Sequence, residues 1–167
     1  DIRLTDIVMD IGACIGGFSL KVSDLVTKVY AIEPVMYNSL QQNITLNNKQ
    51  NIIIIEALLG NGLIKATWNN KTEYKIGLSL TELINIVGGH VDFLKMDCEG
   101  GEYCILPEEL LNIRRIEAEI HNFDQNGKFH NLSQFEEILT AANFEYTKNI
   151  ILNGKMMLVH AKNTRIT

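Results

Sequence analysis

One segment near the start of the sequence constrains the fold most. It is an apolar run that ends in an acid and is followed at once by two spaced glycines. Residues 7–16 read Ile-Val-Met-Asp-Ile-Gly-Ala-Cys-Ile-Gly, which places Asp10, Gly12 and Gly16 in the spacing D-x-G-x-x-x-G. This pattern predicts a strand that breaks into a tight turn and then opens a helix, because Gly12 can adopt a positive φ without a Cβ clash. We therefore expect a β-α unit with a ligand-binding turn at the start of the fold.

Two residues of this turn, Asp10 and Cys14, indicate which ligand it binds. Asp10 makes the mouth of the turn negative, which favours a cationic ligand, and the dinucleotide fingerprint needs a glycine where Cys14 stands. The turn is therefore predicted to bind S-adenosylmethionine (SAM) in preference to NAD, with the positive ligand compensating the charge of Asp10. The expected cofactor residues here are Asp10, Gly12, Ala13, Cys14 and Gly16.

Size, charge and cysteine content limit the function classes. The 167 residues are 46% hydrophobic and 21% charged, which is typical of one soluble domain, here 1–167. A net charge of −5 and no Lys/Arg run longer than two argue against a nucleic-acid partner. No apolar run could span a bilayer, and the cysteines form no C-x-x-C, which favours a reduced, cytoplasmic setting. The chain begins at Asp1 without a Met, so we expect a boundary within a longer protein.

Strand and helix patterns alternate along the chain, which predicts a parallel sheet with helices on both faces. The expected strands are 6–11, 29–33, 52–57, 91–97 and 113–121, and the expected helices are 17–27, 35–46, 79–87, 101–111 and 133–143, the last capped by Ser133. Residues 60–77 have no helical period. Their β-prone pieces, 64–68 and 73–76, flank Asn69-Asn70-Lys71 and predict an inserted hairpin.

The end of the chain is informative about topology. The β-rich runs 144–152 and 155–161 are separated by Asn153-Gly154, a strong hairpin signal. An NAD-binding Rossmann domain has strands that all run one way, so a terminal antiparallel hairpin favours a different α/β fold.

Acidic residues end every predicted parallel strand, where open α/β sheets bind their ligands. Glu33 ends strand two, 21 residues after Gly12, and is expected to accept hydrogen bonds from the ribose hydroxyls of the cofactor. By similar logic Glu56 could reach the adenine amino group, although a surface acid explains it equally well. The remaining residues expected at the cofactor are Pro34, Ala57 and Asp97.

The fifth predicted strand carries an unusual polar face. Period two puts Glu117, Glu119 and His121 on the face opposite Ile116 and Ile120. Unpaired charges inside a parallel sheet would cost several kcal/mol each, so this face must open into a cleft or meet Arg115, Lys95 or a metal. Glu119 and His121 lie nearest the carboxyl end and are the catalytic candidates, whereas Glu117 is expected to be a structural partner.

Four segments together resemble one family. Residues 91–102, Val-Asp-Phe-Leu-Lys-Met-Asp-Cys-Glu-Gly-Gly-Glu, are similar to the V-D-F-L-K-[IM]-D-[VC]-E-G-x-E signature of FkbM-type SAM-dependent methyltransferases. Residues 8–16 and 29–34 resemble the first and second motifs of that family, 43–47 its N-[IV]-x-L-N helix end, and 117–121 its E-x-H strand. The likeness covers roughly residues 6 to 160.

The resemblance implies an α/β, Rossmann-like class I methyltransferase fold: a mostly parallel seven-stranded sheet of order 3-2-1-4-5-7-6, with strand 7 antiparallel. It also implies SAM as cofactor and methyl transfer to a hydroxyl of a sugar or small-molecule acceptor. Family members usually carry a preceding helical segment, which is expected to be missing here. The 60–77 insert aligns with no motif of the family.

Transfer to a hydroxyl needs a group that takes its proton. His121 is the expected general base by its intrinsic pKa, with Glu99 and Glu119 orienting it or acting themselves. A metal held by Asp97, Glu99, Glu119 or His121 is the less favoured alternative, with Mg²⁺, Mn²⁺ or Zn²⁺ as candidates. A SAM-binding module without activity, an RNA methyltransferase and, more weakly, an oxidoreductase remain alternative functions.

Overall fold

A computed structural model describes residues 1–68 and 71–166 as a seven-stranded sheet, a smaller sheet and connecting helices. The strands are β1 (Ile7–Ile11), β2 (Lys28–Ile32), β3 (Ile52–Ile55), β4 (Leu58–Leu59), β5 (Gly62–Trp68), β6 (Lys71–Leu78), β7 (Phe93–Met96), β8 (Arg115–His121), β9 (Phe144–Ile151) and β10 (Met156–Asn163). The α-helices are α1 (Gly17–Val22), α2 (Tyr37–Leu46), α3 (Leu80–Ile86) and α4 (Ser133–Ala141). Helix α1 is shorter than predicted and continues as a 3-10 turn, Ser23–Leu25.

The large sheet has the order β3-β2-β1-β7-β8-β10-β9. Strand β10 runs antiparallel to both of its neighbours, and β1, β2, β3, β7 and β8 pair in parallel. When the strands of this sheet alone are numbered along the chain, the order reads 3-2-1-4-5-7-6 with strand 7 antiparallel. The predicted fold class is therefore confirmed. The predicted hairpin forms between β9 and β10, and Asn153 in its turn has left-handed backbone at φ 56°.

Two hydrophobic cores cover the two faces of the large sheet, because neighbouring strand residues point to opposite sides. Val8 packs with residues of α1 and α2, whereas Met9 packs with residues of α3 and α4. The elements thus sandwich the sheet and leave the carboxyl ends of the parallel strands free to form a site. Within the described part of the chain, no helix combines the length and apolarity that crossing a bilayer requires.

The insert forms the predicted hairpin. Strands β5 and β6 pair antiparallel, and β4 adds to β6 in parallel, which gives a three-stranded sheet of its own. The predicted turn residues Asn69 and Asn70 lie outside the described residues. Ile64 is buried on the inner face of the hairpin and Leu63 is exposed on the outer face, so the inner face is available to line a site.

Residues 101–111 do not form the α-helix that the sequence predicted. Two 3-10 turns, Gly101–Cys104 and Pro107–Leu110, are separated by extended backbone at Leu106. Pro107 has no N–H and disfavours helical backbone at the residue before it, which explains the break.

The predicted cap of α4 is also wrong. Leu132 already has helical backbone, and the side chain of Asn131 accepts the hydrogen bond from the Ser133 N–H at 3.1 Å. Glu136, expected to complete a capping box, accepts hydrogen bonds from Tyr146 and Lys148 instead. Tertiary partners on β9 therefore outcompete the local cap.

A buried ion pair joins the start of the chain to the residue that precedes β8. The Arg114 guanidinium donates to the Asp6 carboxylate at 2.7 Å, and both side chains are buried. Asp6→Ala leaves the guanidinium buried without its partner, so we expect urea denaturation to show a loss of about 3–5 kcal/mol in unfolding free energy. Asp24→Ala, which breaks the more exposed pair with Lys49, is the control and should cost about 0–1 kcal/mol. Equal losses would contradict this account.

Candidate active site

The turn after β1 is held against β2 and the loop after β7. The backbone N–H groups of Gly12 and Ala13 both donate to the Ile32 carbonyl, at 3.0 and 3.1 Å. Gly12 has φ 79°, and a Cβ there would lie 1.8 Å from the backbone oxygen of Asp97. A glycine is required because the two loops meet backbone to backbone. Cys14 adopts φ 52°, a strained value for a residue with a side chain.

Glu33 ties the first turn to the second. Its side chain is nearly buried, one carboxylate oxygen accepts from the Cys14 N–H at 2.8 Å, and the other accepts from Val35 and Met36, also at 2.8 Å. Glu33 lines the cavity described below. The predicted ligand-binding acid is therefore also a structural element of the turn, a role that the sequence did not reveal.

Asp10 lies behind the turn and is fully buried. The Ser19 hydroxyl donates to its carboxylate at 2.6 Å, and the Lys95 ammonium lies 3.1 Å from the other oxygen. Lys95 also donates to the Gly12 carbonyl at 3.1 Å. The positive charge beside Asp10 thus comes from Lys95, which corrects the expectation that the ligand supplies it.

A cavity of about 480 Å³ opens in front of the turn. Its walls come from the carboxyl ends of β1, β2 and β7, from the inner face of the β5–β6 hairpin and from the loop after β8. The predicted site residues that line it are Gly12, Cys14, Glu33, Pro34, Ala57, Asp97 and Glu99. Ile64 and Ala66 line it from the hairpin, and Phe123 and Gln125 from the loop. A site assembled from so many segments suits a ligand of the size of SAM.

Other residues expected at the cofactor lie elsewhere. Ala13 is buried beside Val8 in the core under α1 and α2. Gly16 precedes α1, and a Cβ there would lie 2.7 Å from the Leu40 side chain, so the packing against α2 favours a glycine. Glu56 forms an ion pair with Lys75 on the hairpin and raises the pKa of that lysine through a hydrogen bond. This placement supports the surface interpretation of Glu56 over a contact with adenine.

A second part of the site surrounds His121 at the end of β8. The imidazole is only 4% exposed. Its Nδ1 lies 3.3 Å from a Glu102 carboxylate oxygen, and its Nε2 lies 3.5 Å from Glu99 and 3.7 Å from Glu119. The predicted catalytic residues Glu99, Glu119 and His121 are therefore brought together.

Glu102 is a site residue that sequence reasoning missed. It is fully buried, and its carboxylate accepts from the Gly100 N–H at 2.8 Å and the Cys98 N–H at 3.3 Å. It thereby shapes the loop that carries Asp97 and Glu99. The sequence places this acid only three residues after Glu99, which was the available signal. The α-helix predicted over 101–111 gave its side chain no partner, so it was not assigned to the site.

The ionisable groups of this cluster shift one another's pKa values. Burial raises the pKa of Glu99 and of Glu119, and the neighbouring Asp97 raises both further, against the opposing effect of His121. Burial alone would lower the pKa of His121, but the hydrogen bond and charge of Glu102, followed by the charge of Glu99, raise it overall. The site therefore favours positive charge at its centre.

Three of these groups have the chemistry of metal ligands. Asp97, Glu99 and His121 each offer one donor atom, and the three atoms lie within 4.8 Å of one another. Two carboxylates with one imidazole suit a divalent ion. Glu117, by contrast, pairs with Arg115 at 3.0 Å, which agrees with the structural role expected for it.

The comparisons with known proteins agree with the fold. Residues 10–146 match the family model of the methyltransferase FkbM domain. Because this match covers well over half of the sequence, the chain belongs to the FkbM methyltransferase family and is a SAM-dependent methyltransferase. Among curated proteins, no sequence matches the chain.

Solved structures share the architecture at low sequence identity. An rRNA methylase from Streptococcus thermophilus has a TM-score of 0.66 and 13% identity, covering 97% of this chain and 89% of that protein. A precorrin-6y C5,15-methyltransferase from Geobacter metallireducens has a TM-score of 0.64 and 13% identity, with coverages of 97% and 82%. A Streptococcus mutans protein in complex with SAH, the demethylated product of SAM, has a TM-score of 0.61 and 11% identity, with coverages of 96% and 90%. These likenesses show a shared fold.

Proposed function

We propose that this chain transfers the methyl group of SAM to a hydroxyl of a sugar or other small-molecule acceptor. The observation that carries the proposal is the continuity of the cavity with the carboxylate–histidine cluster. Asp97 and Glu99 line the cavity, and Glu99 lies 3.5 Å from His121 at the centre of the cluster. A methyl donor in the cavity would thus have proton acceptors beside it.

In this proposal SAM binds in the cavity through groups that follow four strands, β1, β2, β3 and β7. Glu33 accepts hydrogen bonds from the ribose hydroxyls, while the backbone of Gly12 and Cys14 forms the floor under the ligand. Pro34 and Ala57 bound the adenine end, and Asp97 faces the methionyl end. The presence of SAH in a protein of the same fold supports this assignment.

The chemistry is an in-line displacement. The acceptor oxygen forms a bond to the methyl carbon while the bond from that carbon to sulfur breaks, and SAH leaves. The hydroxyl proton passes to a base of the cluster, and a base in hydrogen-bond reach contributes about 10²–10⁴-fold to the rate. Glu99, Glu119 and His121 are the groups in position to do this.

Charge favours a neutral acceptor over RNA. Asp97, Glu99, Glu102 and Glu119 place four carboxylates around one histidine. Lys95 pairs with Asp10, and Lys65 lines the cavity from the hairpin. A phosphodiester backbone approaching this cluster would be repelled, whereas hydroxyl groups can donate to carboxylates.

An acceptor screen with methyl-labelled SAM tests the proposal. Neutral glycans, small hydroxylated metabolites and RNA are offered to the chain at equal concentration. We expect label on a hydroxyl of a glycan or small molecule. Label mainly on RNA would contradict the proposal, and binding of SAM without transfer to any acceptor would favour a SAM-binding module.

Replacing Glu33 tests the placement of the ribose. We expect Glu33→Ala to weaken SAM binding by about 1–3 kcal/mol, or about 5- to 150-fold, because the ribose loses its acceptor and the turn loses three backbone hydrogen bonds. Calorimetry measures the affinity. Glu145→Ala, an exposed acid on β9, is the matched control and should bind SAM like the unaltered chain. Unchanged affinity in Glu33→Ala would place the ribose elsewhere.

A further inference from the structure

The two ring nitrogens of His121 have different partners. Nδ1 lies 3.3 Å from the carboxylate of Glu102, which is fully buried and accepts two backbone N–H groups besides. An ionised carboxylate can only accept hydrogen bonds, so Nδ1 must be the protonated nitrogen and the donor. In the neutral imidazole Nε2 then carries a lone pair.

That lone pair points at other acceptors. Nε2 makes no hydrogen bond within residues 1–68 and 71–166, and its neighbours are carboxylate oxygens of Glu99 at 3.5 Å and Glu119 at 3.7 Å. His121 is buried, whereas the side chains of Glu99 and Glu119 are 50% and 32% exposed, so the cluster opens to solvent on the side of Nε2. In that tautomer, Nε2 and the two carboxylates are all groups that can donate an electron pair to one cation.

The cluster contains more acidic groups than basic ones. Four carboxylates, those of Asp97, Glu99, Glu102 and Glu119, surround the ring. Lys95 lies outside the cluster, where its ammonium pairs with Asp10 and donates to the Gly12 carbonyl.

We propose that Asp97, Glu99 and His121 form a binding site for a divalent transition-metal ion of the Mn²⁺ or Zn²⁺ type. Their donor atoms lie within 4.8 Å of one another, a separation that one ion can bridge after small side-chain adjustments. One imidazole with two carboxylates favours these ions over Mg²⁺ and Ca²⁺, which prefer oxygen ligands alone. Glu102 holds the ring with Nε2 toward the ion, as carboxylates commonly do for metal-binding histidines.

The role of the ion rests on the proposed function. The ion would lower the pKa of an acceptor hydroxyl bound to it. The hydroxyl proton would then pass to the carboxylate of Glu119, which is not a ligand of the ion. The oxygen then forms its bond to the methyl carbon as the carbon–sulfur bond breaks. SAH and protonated Glu119 are the products on the enzyme side.

Metal binding is tested without SAM or acceptor. The chain is freed of metal by chelation and dialysis and titrated with Mn²⁺, and free Mn²⁺ is followed by electron paramagnetic resonance. We expect one ion per chain, with at least a tenfold loss of affinity in His121→Ala and a loss of about 10–100-fold in Glu102→Gln. His90→Ala removes a histidine that lies 2.9 Å from Asp92 away from this cluster and should bind Mn²⁺ normally.

Thermal unfolding of each variant checks that it is folded. No Mn²⁺ bound to the unaltered chain would overturn the proposal, and so would equal binding in His121→Ala, which would place the ion elsewhere. Binding of SAM is measured separately. A chain that transfers methyl groups but binds no Mn²⁺ would refute the metal site and leave the proposed function standing.

Discussion

Replacing Gly12 with alanine is expected to abolish SAM binding and to destabilise the fold. The new Cβ would lie 1.8 Å from the Asp97 backbone oxygen and 2.7 Å from the Asp97 carbonyl carbon, so a backbone loop must move. The left-handed conformation at φ 79° alone costs a residue with a side chain about 1–2 kcal/mol. The overlap adds roughly 1–3 kcal/mol. Urea denaturation and SAM calorimetry measure the two losses.

Gly17→Ala is the matched control for this prediction. Gly17 begins α1, and a Cβ there would meet nothing within 4 Å. We expect this variant to bind SAM normally and to be as stable as the unaltered chain or more stable by about 0.5–1 kcal/mol. If the two alanine variants have the same stability and the same affinity for SAM, the close approach of the loops after β1 and β7 is not required for SAM binding or for the fold.

Replacing His121 with alanine is expected to remove methyl transfer while SAM affinity changes little. His121 does not belong to the described residues that line the cavity, yet it lies 3.5 Å from Glu99, which does. Whether it binds an ion or takes a proton, its loss should lower kcat by about 10²–10⁴-fold. Label transfer from SAM measures the rate, and calorimetry measures the affinity.

His90→Ala serves again as the control and should retain full transfer. A parallel loss of SAM affinity in His121→Ala would show that the histidine supports the cofactor site instead of the reaction. Full activity in that variant would mean that the chemistry takes place on other residues.

The topology was predictable because it depends on local signals. The apolar runs mark the strands, the glycine spacing marks the first turn, and Asn153-Gly154 marks the hairpin that places β10 antiparallel in the sheet. Gly12 and Glu33 could be assigned to the cofactor cavity for the same reason, since each follows its strand directly in sequence.

The missed features depend on contacts that sequence spacing does not encode. Lys95 reaches Asp10 only because β7 lies beside β1, and the pairing of Asp10 with Lys95 in the register fixes that approach. Glu102 reaches His121 only because a helix fails to form before Pro107. Glu56 was assigned to the cofactor because it follows the third strand. In the structure, Lys75 of the insert forms an ion pair with it at the surface.

Calorimetric titration of the chain with SAM, SAH and NAD tests the central claim most directly. The cavity in front of Gly12 and Glu33 is expected to bind SAM and SAH at one site per chain, with no measurable heat from NAD, because Cys14 replaces the glycine that a pyrophosphate requires. Binding of NAD without binding of either sulfur ligand would contradict the account.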